Sequence, residues 1–362
     1  MKTVSEFTAE HPVTLFTGQW ADLPFEEVAK LAAGWGYDGL EIAASGDHLD
    51  LERADQDDAY LASGLEILER NNLRAFAISN HLTGQAVCDD PIDFRHKAIV
   101  RSSTWGDGDP EGVRQRAAED MKRSARVARK LGVDVVVGFT GSKIWPYVAQ
   151  FPPVSPSVIE EGFEDFAARW NPILDVFDAE GVRFAHEVHP SEIAYDYWSS
   201  VRALEAIDHR SAFGFNWDPS HMMWQNIDPV GFIVDFKDRI YHVDCKDTRL
   251  RPSNGRARSP GFASALGRPA SWVGFRLDRT RGRALGGRLP RARIDRVFGA
   301  NFDRVGRRRY GSFAWCGRGN PVRAVASVAA SRVVFRLGLC QPIAGSLSTR
   351  RRQGDRAIRA RS

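Results

Sequence analysis

No run of 18 apolar residues occurs anywhere in this chain of 362 residues, which excludes a membrane-spanning helix. The opening Met1-Lys-Thr-Val-Ser-Glu lacks the apolar core of a secretory signal, so export is not expected. Cysteine is scarce: Cys88, Cys245, Cys316 and Cys340 stand too far apart for a zinc-binding CxxC pair or a compact disulfide framework. A cytoplasmic protein with reduced thiols is the expectation. The sharpest absence is regional. Residues 251–362 contain no Lys and no Glu, and set 26 Arg against four Asp (Asp278, Asp295, Asp303, Asp355). Residues 1–250 hold 24 Lys and Arg against 42 Asp and Glu. The overall charge of +4 is therefore a balance of two opposed segments.

What is present in the first 250 residues is an alternation of short apolar runs and helical patterns. Strands are expected at 12–18, 38–43, 73–79, 133–139, 182–188, 212–217 and 240–244. Helices are expected at 23–33, 58–71, 111–131, 157–180, 192–207 and 229–236, with Gly34 closing the first. Val133-Asp-Val-Val-Val-Gly-Phe139 is almost wholly apolar, as a parallel strand covered on both faces would be. Seven such β/α units predict an α/β fold: a (β/α)8 TIM barrel one unit short.

In a parallel barrel, chemistry gathers where the βα loops converge beyond the C-terminal strand ends. Glu187, Asp218 and His242 stand at the ends of the fifth, sixth and seventh strands. Neighbouring strands lie about 4.8 Å apart, so these three side chains can share one cation. Two carboxylates and one imidazole suit Mn2+, Mg2+ or Co2+ better than a zinc site built on thiolates. His189, Glu192, His221 and Lys246 fall just beyond the same ends, and His81 follows the third strand, where a polyhydroxy substrate would lie. Strand alternation turns His186 away from the side of Glu187 and gives it a structural place.

Four segments, Gly36-Tyr-Asp-Gly-Leu-Glu-Ile42, His186-Glu-Val-His-Pro190, Asn216-Trp-Asp-Pro-Ser-His221 and His242-Val-Asp-Cys-Lys-Asp247, occur in an order and spacing that resembles the xylose isomerase-like TIM-barrel superfamily. Within it, the sugar phosphate isomerase/epimerase group is most similar, over residues about 10 to 250. The resemblance implies one divalent metal held by Glu, Asp, His and a second Glu from four strands. Glu187, Asp218 and His242 take the first three places. It also implies that Glu192 and His221 contact substrate hydroxyls, and that Glu187 both binds the metal and moves a proton on carbon through an enediolate. The second Glu should end an eighth strand.

No such strand can be read in residues 251–362, where Arg, Gly, Ala, Pro and Ser alternate without a clear period. Natural basic tails mix Lys with Arg and carry fewer scattered Trp, Phe and Leu residues than this segment. Loss of both Lys and Glu with a surplus of Arg is what GC-rich DNA gives when read out of frame. Permitted codons for Arg258 through Gly287, read one nucleotide later, include a string ending Ser-Thr-Gly-His-Gly-Asp-Val-Pro-Trp-Glu. It resembles the segment that follows the seventh strand in this family. This pattern points to a change of frame near Ala257, with the barrel over 1–250 and a disordered or poorly folded Arg-rich segment over 251–362. Further on, the shifted frame offers no equally clean Glu-ended strand.

The expected function is a divalent-metal-dependent isomerase or epimerase of a sugar or sugar phosphate. Its partner would be the small sugar, with no membrane or nucleic acid, and a homo-oligomer stays open to it. Three rivals remain. One is a metal-dependent lyase or dehydratase of an inositol or keto-sugar on the same barrel. Another is an endonuclease acting at abasic DNA sites, which needs more His and carboxylate ligands for a zinc cluster. The last is an Arg-rich nucleic-acid binder, whose affinity would fall steeply with salt.

Overall fold

The computed structural model describes residues 12–148 and 151–246, and beyond them the strand backbones at Thr248–Leu250, Val273–Phe275, Ser312–Gly317, Asn320–Ala329 and Arg332–Leu339. Seven parallel strands form one sheet in chain order: β1 (Thr14–Phe16), β2 (Gly39–Ala43), β3 (Arg74–Ser79), β4 (Val135–Gly138), β5 (Arg183–Glu187), β6 (Phe213–Trp217) and β7 (Ile240–Val243). Each is paired in parallel with the next. Sequential parallel order with a crossover after each strand is the construction of a barrel wall. Among the described residues no eighth strand joins β7 back to β1, and the barrel they form is incomplete.

Alternation along β5 shows how the wall divides its two faces. Phe184 and His186 point out toward the helices, while Ala185 and Glu187 point in. Phe184 meets Trp170 at 4.5 Å between ring centroids and Phe213 at 5.7 Å. Trp170 lies on the long helix Pro156–Glu180, which buries Phe166, Trp170, Ile173, Leu174 and Phe177 on one stripe. The inner face is lined by small groups, with Ala77, Val135, Val137 and Ala185 packed together. Small inner residues leave room at the strand ends for charged ones.

His186 is fully buried in the outer layer, stacked on Phe213, and its Nε2–H donates to the Ala194 carbonyl at 3.0 Å. Burial pulls its pKa down to about 4, so it is neutral.

The helices depart from expectation in informative places. The stretch between β3 and the helix Pro110–Leu131, where no helix was expected, contains three short helices: His81–Cys88, Phe94–Lys97 and Ser102–Trp105. An additional turn, Leu51–Gln56, precedes the expected second helix, with the Asp50 carboxylate capping its start. The helix expected from Glu192 begins only at Tyr197. Asp196 and Ser199 form a reciprocal capping box there, which fixes the start five residues late. Residues 192–196 become loop as a result.

In residues 251–362, where no period was expected, Ser312–Gly317, Asn320–Ala329 and Arg332–Leu339 form an antiparallel sheet. Asn320-Pro-Val-Arg-Ala-Val-Ala-Ser-Val-Ala329 and Arg332-Val-Val-Phe-Arg-Leu-Gly-Leu339 are rich enough in valine to favour strands. Val273–Phe275 pairs antiparallel with Thr248–Leu250. The eighth-strand position and the proposed frame change near Ala257 lie outside the described residues.

Candidate metal centre

Three ionisable groups reach the inner face at the ends of β5 and β6. Glu187 closes β5 and is 3% exposed. Asp218 follows β6 directly and caps the short helix Pro219–Trp224; its Oδ1 accepts the Ser220 N–H at 2.8 Å. Pro219 at the first helical position suits that start, since it has no N–H to leave unpaired. His221 lies one turn along the same helix, so Nε2 comes within 3.2 Å of Glu187 Oε1 and 3.3 Å of Asp218 Oδ2. From the opposite side, His81 Nε2 stands 2.9 Å from Glu187 Oε2. Lys246 Nζ lies 2.6 Å from Asp218 Oδ2 and 3.5 Å from both Glu187 Oε1 and Asp244 Oδ2.

A second group joins β2 to β7. His242 Nε2 is 3.5 Å from Glu41 Oε2, and Glu41 sits directly opposite Ala77 on the inner face. Asn216 organises this side. Its Nδ2 donates to Asp244 Oδ2 at 3.2 Å, which turns its carbonyl oxygen toward His242 Nδ1 at 3.1 Å. That oxygen can only accept, so the His242 proton belongs on Nδ1. Nε2 is left with a bare lone pair, the form in which histidine binds a metal.

Charge follows geometry. Burial would raise Glu187, but Lys246, His221 and His81 outweigh it and hold the carboxyl well below its usual range. Glu187 is thus an anion at neutral pH. Glu41 goes the other way, pushed well up by burial and by the Asp244 charge. Asp218 is raised by burial, against the pull of Lys246 and His221. Burial alone would favour a neutral Lys246, yet Asp218, Glu187 and Asp244 keep it firmly charged.

Two trios therefore bring their ligand atoms within 4.8 Å of one another: Glu187, Asp218 and His221, and Glu41, His242 and Asp244. Of the expected trio Glu187, Asp218 and His242, the first two stand together with His221 beside them, while His242, tied to Asn216 across a register shift in β6, stands nearer Glu41.

Of the residues expected to meet substrate, His81, His221 and Lys246 converge on Glu187. Glu192 and His189 are engaged elsewhere. Glu192 Oε2 accepts the Thr140 and Gly141 N–H groups, each at 2.8 Å, and Ser191 Oγ donates to Oε1 at 3.2 Å. His189 packs against His221 and Phe139 and bonds the Pro190 carbonyl; burial takes its pKa to about 3. Glu41, Asp244 and Asn216 carry roles that the sequence pattern did not single out. A carboxylate inside the apolar strand Gly39-Leu-Glu-Ile-Ala43 was the available signal for Glu41.

The donor set fits a divalent cation. Both trios mix carboxylate oxygen with imidazole nitrogen, and Glu41 Oε1 is buried without a hydrogen-bond partner among the described residues. Such an atom needs either a proton or a cation.

The family model for the xylose isomerase-like TIM barrel matches residues 29–276. The chain belongs to this family. A relative, the uncharacterized protein YfiH of Bacillus subtilis (strain 168), is 25% identical over 250 residues, which are 65% of this chain and 72% of YfiH. Among solved structures, the probable 3-DHS dehydratase AsbF of Bacillus anthracis is 18% identical, with a TM-score of 0.48 over 69% of this chain and 77% of AsbF. The 3-keto-D-glucoside 4-epimerase YcjR of E. coli is 13% identical, with a TM-score of 0.48 over 64% of this chain and 78% of YcjR. A xylose isomerase-like TIM barrel protein of Mycobacterium smegmatis, in complex with magnesium, is 13% identical, with a TM-score of 0.47 over 68% and 79%.

Proposed function

We propose that this chain is built on a divalent-metal-dependent sugar or sugar phosphate isomerase or epimerase. The observation that carries the reading is the buried trio Glu187, Asp218 and His221, with Lys246 and His81 against it, at the open ends of β5 and β6. Glu187 and Asp218 would hold the cation, with His221 or His242 as the nitrogen donor. A bound divalent ion would supply charge that stabilises an enediolate. Glu187, an anion at neutral pH, is in the form that accepts a proton from carbon. His81, with Nε2 2.9 Å from Glu187 Oε2 and Nδ1 2.7 Å from Ser79 Oγ, would orient that carboxylate.

Incubation of the Mn2+-loaded protein with a panel of ketoses and ketose phosphates in D2O is the test. The expected outcome is deuterium entering one carbon position, at a rate that Glu187→Gln lowers by about 100-fold or more. Loss of a hydroxyl with formation of a double bond would move the protein to the lyase or dehydratase class. Deuterium exchange equally fast in the Glu187→Gln variant would sink the reading.

A further inference from the structure

In the structure, the place a metal would take between Glu187 and Asp218 already faces a positive charge. Lys246 Nζ approaches Asp218 Oδ2 to 2.6 Å and Glu187 Oε1 to 3.5 Å. These are the same two oxygens that face His221 Nε2 in the trio able to bind a cation. A divalent ion on those oxygens would stand within a few ångströms of the ammonium, and both would claim the same lone pairs. At that separation, in a shielded site, the +2 and +1 charges repel each other, so the two compete for these oxygens. The ammonium also reaches Asp244 Oδ2 at 3.5 Å, so it compensates three carboxylates that would otherwise repel one another.

We propose that Lys246 is a built-in cation of this centre, holding the carboxylates together in the metal-free protein and leaving when a divalent ion enters. The inference rests on the metal-dependent reading above for the identity of the displacing ion. Lys246 can move because its four-carbon stem is flexible and it lies in the loop just after β7 rather than within a strand. Its contribution is therefore antagonistic. It stabilises the metal-free chain and weakens metal binding.

Mn2+ titration of the metal-free full chain, followed by the electron paramagnetic resonance signal of free Mn2+, tests this with three proteins: unsubstituted, Lys246→Met and Asp218→Asn. The expected result is binding at least about tenfold tighter in Lys246→Met, lost in Asp218→Asn, with a lower Tm for metal-free Lys246→Met that Mn2+ restores. Equal or weaker binding in Lys246→Met, with Asp218→Asn still abolishing binding, overturns the proposal and leaves the metal site standing. Absence of Asp218-dependent binding in all three overturns the metal reading and the proposal with it. Should Lys246→Met not fold, amine acetylation of the unsubstituted chain read by mass spectrometry decides: Mn2+ is expected to speed modification of Lys246. An unchanged rate in the presence of bound Mn2+ overturns the displacement.

Discussion

Which nitrogen of His242 is bare depends on one amide. Asn216 is fully buried, and its orientation is set by the Asp244 carboxylate, which can only accept. Its oxygen must then face His242 Nδ1, and the proton goes there. Removing the amide frees the ring to take the other tautomer or to turn. Such outer partners of a metal-binding histidine are typically worth about 10- to 100-fold in metal affinity. Asn216→Ala is expected to weaken Co2+ binding by that factor, read from the visible absorption of the bound ion, with less change in the fold than in the affinity. Affinity equal to that of the unsubstituted chain would show that Asn216 does not set the ring or that His221, not His242, is the nitrogen donor. Residue identity alone made part of this legible. Glu187 and Asp218 could be read as neighbours because one ends β5 and the other follows β6, and consecutive parallel strands of one sheet lie side by side. The partners of His242 could not, because they come from β2, β6 and the loop after β7. That pairing depends on barrel curvature, which a linear pattern does not contain.

At the scale of elements, two carboxylates hold the loop after β4. Glu192 takes the N–H groups of Thr140 and Gly141, and Asp89 takes the N–H of Ser142 at 2.9 Å while bonding His96 Nε2 at 2.9 Å. Gly141 is needed there: its φ is +69°, and a Cβ would lie 2.1 Å from the Gln85 carbonyl oxygen. Burial, then the neighbouring Asp89 charge, raises the Glu192 carboxyl from 4.5 to about 8 despite its N–H donors. A carboxyl that keeps its proton longer when folded favours the folded state at low pH. That contribution is complete below about 4.5 and is lost as pH rises toward 8. Thermal stability of the unsubstituted chain is therefore expected to decline between pH 6 and 9, and Glu192→Gln, which has no proton to lose, should decline less. Each kcal/mol corresponds to roughly 2–4 °C in Tm for a domain of this size. Parallel Tm curves for the two proteins across that range would refute it. The strands and long helices were legible because their apolar periods are strong. The start at Tyr197 was decided instead by the capping box of Asp196 and Ser199, a local competitor that overrode the helical pattern from Glu192.

At the scale of the molecule, the decisive feature is a wall that stays open among the described residues. Among the described residues, β1 and β7 each pair on one side only, so each offers an unpaired row of backbone groups. An exposed parallel edge invites association with other chains, and natural sheets of this kind close to avoid it. Residues 251–362 carry 26 Arg and no Glu, so no carboxylate of the Glu type can come from that segment to the centre. A chain whose coding sequence is shifted by one nucleotide after Ala257 tests whether the missing unit is encoded in another frame. It should unfold at higher temperature, associate less with other copies than the present chain does at the same concentration, and bind Mn2+ more tightly through an added carboxylate. The basic segment separates this reading from a nucleic-acid function: under the latter, binding of DNA or RNA would weaken steeply with salt and vanish on removing 251–362. If the shifted chain matches the present one in Tm, in association and in Mn2+ affinity, the Arg-rich segment belongs to the protein, and the incomplete wall must be explained by what the present chain itself provides.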